Sequence, residues 1–267
     1  MKISSLLVGC CLAACATMAS AYELFDSDNS AELVPFKPIP ADASLGGYPL
    51  LPVGDTQLLG LFKGSWGSSP NFIPSGRAYL IVVANHTLVA TVDMSANLGT
   101  NSSYDNWTDE PCKRNDYLWK QSLGGDFSNV NCATINHNVR FFSSPTGQFQ
   151  QYLVWLRAKH IQLPPTVLKA EFTRYASKGR RLSYKIEVNP EYFGLPRDAE
   201  PIWGASGWYK DFIGQDPRRV AFVARLSEWA QNVQVHMNAA FGRHEDAFSD
   251  VPPLLQFLQH ENISSTN

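Results

Sequence analysis

The groups with which this chain could do chemistry are its histidines, carboxylates, serines and cysteines, and their spacing decides what that chemistry could be. A metal centre needs three or four ligands at short, regular intervals. His86, His137, His160, His236, His244 and His260 form no H-E-x-x-H or H-x-H string and no close cluster with carboxylates, so no metal and no cofactor is expected. The densest polar group, Gly242-Arg243-His244-Glu245-Asp246, follows a helix end, where a cation is favoured by the helix dipole. No P-loop occurs, and Gly46-Gly47 lacks the remaining glycines of a dinucleotide fingerprint. Gly204-Ala205-Ser206-Gly207 falls one residue short of a nucleophile elbow, and the Gly64–Ser69 segment is a Gly/Ser-rich loop. A serine-hydrolase triad therefore has no support.

Acid and base groups scattered along the chain remain, as glycoside hydrolysis would use. The candidates are Asp93, Asp109, Glu110 and His137. Asp93 lies inside an otherwise apolar strand, where the structural alternative is an ion pair with Arg77 on the facing strand; that alternative is preferred.

Aromatic residues offer a different chemistry. Trp66, Trp107, Trp119, Trp203 and Trp208 lie in or beside glycine- and proline-rich loops rather than on a helical stripe. Such side chains can stack on sugar rings or enter a partner's pocket, or they can cap the ends of a core.

The first twenty-one residues read as an export signal. Lys2 precedes a run without charge, Ile3 to Met18, and Ala19-Ser20-Ala21 presents small residues for cleavage before Tyr22. Leu12-Ala13-Ala14-Cys15 is an alternative lipobox, with Cys15 as the acylated residue. Cleavage after Ala21 is the expectation adopted. It removes three of the five cysteines and leaves Cys112 and Cys132. In an oxidising compartment these should form a disulfide, worth about 3 kcal/mol for a loop of roughly 20 residues. Their separation fits no zinc pattern. The short signal also makes a bacterial source the expectation, so the N-x-S/T triplets at Asn85, Asn101, Asn106 and Asn262 carry little weight.

Elements to position these groups follow from periodicity. Tyr22 to Ser44, with Pro35, Pro38 and Pro40, reads as an extended arm that could pack through Leu33, Val34 and Phe36. Gln57 to Trp66 reads as a strand. Arg77 to Ala84 and Thr87 to Met94 flank Asn85-His86 as a hairpin whose apolar character implies cover on both faces. Asn131 to Phe142 reads as a strand. Ser144-Pro145 starts a helix carrying Phe149, Leu153, Leu156 and His160 on one stripe. Leu168 to Ala176 and Leu182 to Val188 form a second hairpin, with Ser183, Lys185 and Glu187 on a wet face.

Asp216-Pro217 opens the longest helix. Phe222, Leu226, Trp229, Val233, Met237 and Phe241 recur on it at helical spacing, and Gly242 should close it as a left-handed cap. Arg218-Arg219 in its first turn is unfavourable to the helix dipole and suggests an acidic neighbour; the basic residues Lys178, Arg180 and Arg181 read as a solvated turn. A short apolar turn, Leu254 to Leu258, precedes a polar tail expected to fray.

Hairpins alternate with helices and no βαβ crossover is needed. The fold class is α+β: a single domain with a mainly antiparallel sheet, two amphipathic helices packed on it and a long C-terminal helix. The divisions are residues 1–21 (signal), 22–44 (arm), 45–250 (domain) and 251–267 (tail). Of 267 residues, 44% are hydrophobic, 12% aromatic and 17% charged, which excludes a disordered chain. A net charge of -2 argues against nucleic acid as a partner. Beyond the signal, no stretch is long and apolar enough to span a membrane.

The function expected is an exported, periplasmic or extracellular module that binds rather than catalyses, with a glycan, another envelope component or a protein as its partner. A secreted hydrolase with dispersed acid and base, or an acylated envelope lipoprotein anchored to the outer membrane, are the alternatives.

Overall fold

Asn85 and His86 have φ of 50° and 58°, the pair of left-handed residues that a tight type I′ turn requires. They join β5 (Ile73–Ala84) to β6 (Thr87–Asn97), the hairpin around which the domain is built. The structure, a computed structural model, describes residues 22–24, 35–104, 111–124, 128–139, 148–198 and 202–259. Its remaining strands are β1 (Lys37–Pro38), β2 (Ser44–Leu45), β3 (Tyr48–Pro49), β4 (Gln57–Trp66), β7 (Trp119–Ser122), β8 (Asn129–Asn138), β9 (Val167–Ala176) and β10 (Arg180–Val188). Its helices are α1 (Gln148–Ala158), α2 (Pro217–Phe241) and α3 (Leu254–Gln259).

Eight strands form one sheet in the order β1-β4-β5-β6-β10-β9-β8-β7, with every neighbouring pair antiparallel. This is the α+β architecture that the run of hairpins implied. β2 and β3 form a separate two-stranded ribbon.

Because side chains alternate across a strand, the sheet has two chemically distinct faces. One carries Leu80, Val92, Met94, Ile135, Phe172, Leu182, Tyr184 and Ile186 beneath α2. The stripe of α2 enters this core: Phe222, Leu226, Trp229, Val233, Met237 and Phe241 are all buried. Trp229 meets Phe172 edge to face at 5.9 Å, and its indole N–H donates to the Pro252 carbonyl at 2.9 Å. Asp216 caps the helix by accepting from the Arg218 N–H at 3.0 Å. It also faces the Arg218 and Arg219 side chains, which answers the unfavourable charge at this helix start.

On the other face α1 covers only the β4–β5–β6 side. Tyr152 and Leu156 pack with Leu59, Tyr79, Ile81 and Leu88. The approach is close: a Cβ at Gly60 would lie 1.8 Å from the Tyr152 hydroxyl oxygen, so only glycine fits that position of β4.

Two helix ends differ from expectation. Gly242 is right-handed, with φ of −77°, and the left-handed residue is Arg243, with φ of 63°. Arg243 is held there by stacking on the Tyr48 ring at 4.7 Å and by donating to the Leu98 carbonyl. A Cβ at Gly242 would lie 2.9 Å from the exposed His244 ring and 3.2 Å from the Ala239 carbonyl oxygen. His160 is exposed with φ of 53° and lies past the end of α1, off the buried stripe, which is Tyr152, Leu153 and Leu156. Ser144-Pro145 lies outside the described residues.

Within the arm, Leu24, Ile39 and Ala43 are buried, and Lys37–Pro38 pairs with β4 as an edge strand. The Glu23 carboxylate accepts from the Ser44 hydroxyl and from the Gly46 and Gly47 N–H groups at 2.8–2.9 Å. Leu33 and Val34, the signal segment with Cys15, and the tail beyond residue 259 lie outside the described residues.

Candidate binding site

The sheet sorts the acid and base candidates onto opposite faces. Asp93 belongs to the face opposite α2, in a row that runs Tyr79, Asp93, Lys185, Glu171, Thr134 across five strands. The next row runs Thr91, Glu187, Lys169, Asn136. His137 alternates with these and sits on the α2 side, with Ile135. The two are separated by the sheet itself and cannot act on one substrate atom. Asp109 and Glu110 lie outside the described residues. The dispersed hydrolase site is therefore not assembled from Asp93 and His137.

The charges of the polar face are matched to one another. Both Asp93 oxygens accept from Arg77, Oδ1 from Nε at 2.7 Å and Oδ2 from a terminal nitrogen at 2.5 Å, the ion pair that the sequence suggested. Glu171 lies between Lys169 at 3.2 Å and Lys185 at 3.6 Å. Glu187 accepts from Asn138 at 3.2 Å and Thr91 at 3.4 Å. Burial raises its pKa above the ordinary carboxylate value, against the smaller opposing pull of those hydrogen bonds and of Lys169. A carboxylate held bidentately by arginine is poorly placed to act as a base, so this face reads as a self-paired ionic surface.

Cys112 and Cys132 form the expected disulfide, Cα atoms 5.7 Å apart. It ties a short turn to β8 at the corner where Val130, Tyr175 and Trp66 pack. Trp66 is half-buried there against Tyr104, with ring centroids 4.8 Å apart. Trp119 is half-buried against the main core, and Trp107 lies outside the described residues. Trp208 is fully buried beside Phe222, with the Arg219 guanidinium over its ring at 5.2 Å. It is a core residue that cannot meet a ligand, and the loop position that suggested otherwise is a loop folded inward.

Trp203 is different, at 40% exposed. It stacks on His137 with centroids 4.2 Å apart and planes inclined by 20°. His137 is 1% exposed, so the imidazole lies beneath the indole. His137 Nε2 is 3.1 Å from the Trp203 carbonyl oxygen. A carbonyl only accepts, so Nε2 carries the proton, and Nδ1 is a buried lone pair with no hydrogen-bond partner among the described residues. Burial lowers the His137 pKa below the ordinary imidazole value; the Trp203 carbonyl and Asp198 pull the other way and do not prevail.

The loop bearing Trp203 is fixed from within. Buried Asp198 accepts from the Ser206 hydroxyl, from the Gly207 N–H at 3.1 Å and from the Thr166 hydroxyl at 3.4 Å. The Ala205 and Ser206 N–H groups turn back onto the Ile202 carbonyl at 3.0 and 2.8 Å. Tyr209 places its edge on His137 at 6.0 Å, and Phe212 lies 6.0 Å from Tyr209. Trp203, His137, Tyr209 and Phe212 are thus linked ring to ring in one aromatic strip, and of this loop Ile202 (58% exposed), Trp203 and Phe212 (38%) reach the surface. Ile202, Tyr209 and Phe212 escape a search for catalytic motifs; the adjacent pair Ile202-Trp203 before Gly204 was the available signal.

Among the described residues, no group of three His, Cys, Asp or Glu side chains could hold a metal, and no helix is long and apolar enough to cross a membrane. Comparison with protein-family models, curated proteins and solved structures gives no match.

Proposed function

We propose that this chain is an exported, envelope-associated binding module that engages its partner through the loop of residues 202–213 and does no chemistry on it. The observation that carries the reading is Trp203: a large aromatic ring left at the surface while its carbonyl and one face are held by a buried histidine. An exposed aromatic on an anchored loop loses little freedom on binding, which is the economy of a preorganised contact. Export accords with the disulfide, because such bonds persist in oxidising compartments. Co-sedimentation of the purified mature chain with washed envelope fragments of the source cells tests the reading. The expected result is saturable retention that falls about tenfold for Trp203→Ala, about 1.4 kcal/mol, with an unchanged far-ultraviolet dichroism spectrum. Equal retention of the two proteins would refute it.

A further inference from the structure

Resting on that reading, we infer that the ligand of the Trp203 loop is a glycan, with a pyranose ring stacked on the outer face of the indole. A sugar ring presents a flat patch of C–H bonds, and it needs an aromatic surface that is flat, open on one side and fixed on the other. Trp203 meets each requirement. Its inner face is occupied by His137 at 4.2 Å in a near-parallel stack, which assigns its exposed area to the outer face and edge. The hydrogen bond between His137 and the Trp203 carbonyl fixes the backbone of the same residue.

The backbone next to Trp203 is uncrowded. A Cβ built at Gly204, next in the chain, would meet nothing within 4 Å, and the same holds at Gly214 near Phe212. Phe212 gives a second, smaller aromatic surface on the same strip, joined through Tyr209. In the same loop Lys210, Asp211 and Gln215 are exposed and can meet hydroxyl groups with donors and acceptors of both kinds.

That rim also decides between occupants. An acyl chain or a bilayer favours a continuous apolar surface, and here the exposed residues on either side of Phe212 in the chain include Lys210, Asp211 and Gln215. A sugar, apolar on one face and hydroxylated at its edge, matches an aromatic strip with a mixed polar border. One stacked ring supplies little affinity, so longer oligosaccharides that also reach Phe212 should bind more tightly than monosaccharides.

The experiment is a titration of the mature protein, labelled with 5-fluorotryptophan, with chitotetraose, cellotetraose, xylotetraose and soluble peptidoglycan fragments. Fluorine resonances are followed and assigned by Trp203→Phe. At least one glycan should move the Trp203 resonance saturably and leave that of buried Trp208 in place. Affinity should fall tenfold or more in Trp203→Ala and only a few-fold in Trp203→Phe, while Val235→Ser, at an exposed apolar position of α2 outside the loop, should leave it within about twofold. Vesicles of phosphatidylglycerol and phosphatidylcholine provide the contrasting probe. Should no glycan shift Trp203 while envelope fragments are still retained through it, the glycan assignment falls and the binding reading stands. A Trp203-dependent response to vesicles alone would likewise overturn the assignment in favour of a membrane surface. If retention on envelope fragments is also independent of Trp203, both fall.

Discussion

The two faces of the eight-stranded sheet obey one geometry and reach order by opposite means. Beneath α2, the alternate residues of β5, β6, β9 and β10 are apolar and are removed from water by a helix of 25 residues. On the other face, the intervening residues of the same strands are Asp93, Lys185, Glu171, Lys169 and Glu187, arranged so that charge meets charge across strands. The first face gains stability from burial, which scales with area. The second is partly solvated, and exposed ion pairs contribute little. The candidate binding loop then sits at neither centre but at the end of β8, where the apolar face runs out.

The comparison predicts a hierarchy of mutational effects. Trp229→Ala, in the centre of the α2 face, should cost about 3–5 kcal/mol in denaturant unfolding. A cost near that of a surface substitution would show that α2 is not the anchor of the core. Asp93→Asn, on the ionic face, should cost about 1 kcal/mol, since it removes half of a partly solvated pair. It should leave retention on envelope fragments unchanged; a large loss there with intact stability would restore a functional role to Asp93.

The smallest effects concern protons, and they differ in sign between the faces. Glu187 has a raised pKa when folded, so its protonation favours the native state and that advantage is lost as pH climbs above the ordinary value of 4.5. Glu187→Gln should therefore raise the thermal midpoint at pH 7, with the gain vanishing below about pH 4.5. His137, buried neutral with a lowered pKa, works the other way. Its contribution is complete above 6.5, the ordinary imidazole value, and is lost as pH falls below it toward the folded pKa. Acidification should loosen the Trp203 stack and weaken binding before the domain unfolds, as Trp203 fluorescence against far-ultraviolet dichroism would register. Coincident transitions would mean that the loop has no independent response.

Much of this was legible in the chain. The Asn85-His86 turn, the strand Gln57–Trp66, the span of α2 and the partnership of Arg77 with Asp93 are local facts, written in turn residues, alternation and helical spacing. The disulfide followed from counting. Where local preference met a tertiary contact, the contact won: Arg243 takes the left-handed position, with Tyr48 and Leu98 holding its side chain, and the glycine before it stays right-handed.

The candidate site lay beyond local reading. Trp203 and Trp208 stand five residues apart in one loop and look alike in sequence, yet one is at the surface and the other fully buried. Nothing near them in the chain distinguishes them; Phe222 and Arg219 of α2 draw Trp208 inward, and His137, 66 residues away, supports Trp203 from below. By itself the sequence determined the two hairpins, the strand Gln57–Trp66, the long helix and the covalent tie, because each is written in local patterning or in the cysteine count. Tertiary structure alone decided which tryptophan meets solvent and that Asp93 and His137 never meet, because burial and sidedness are properties of the assembled sheet.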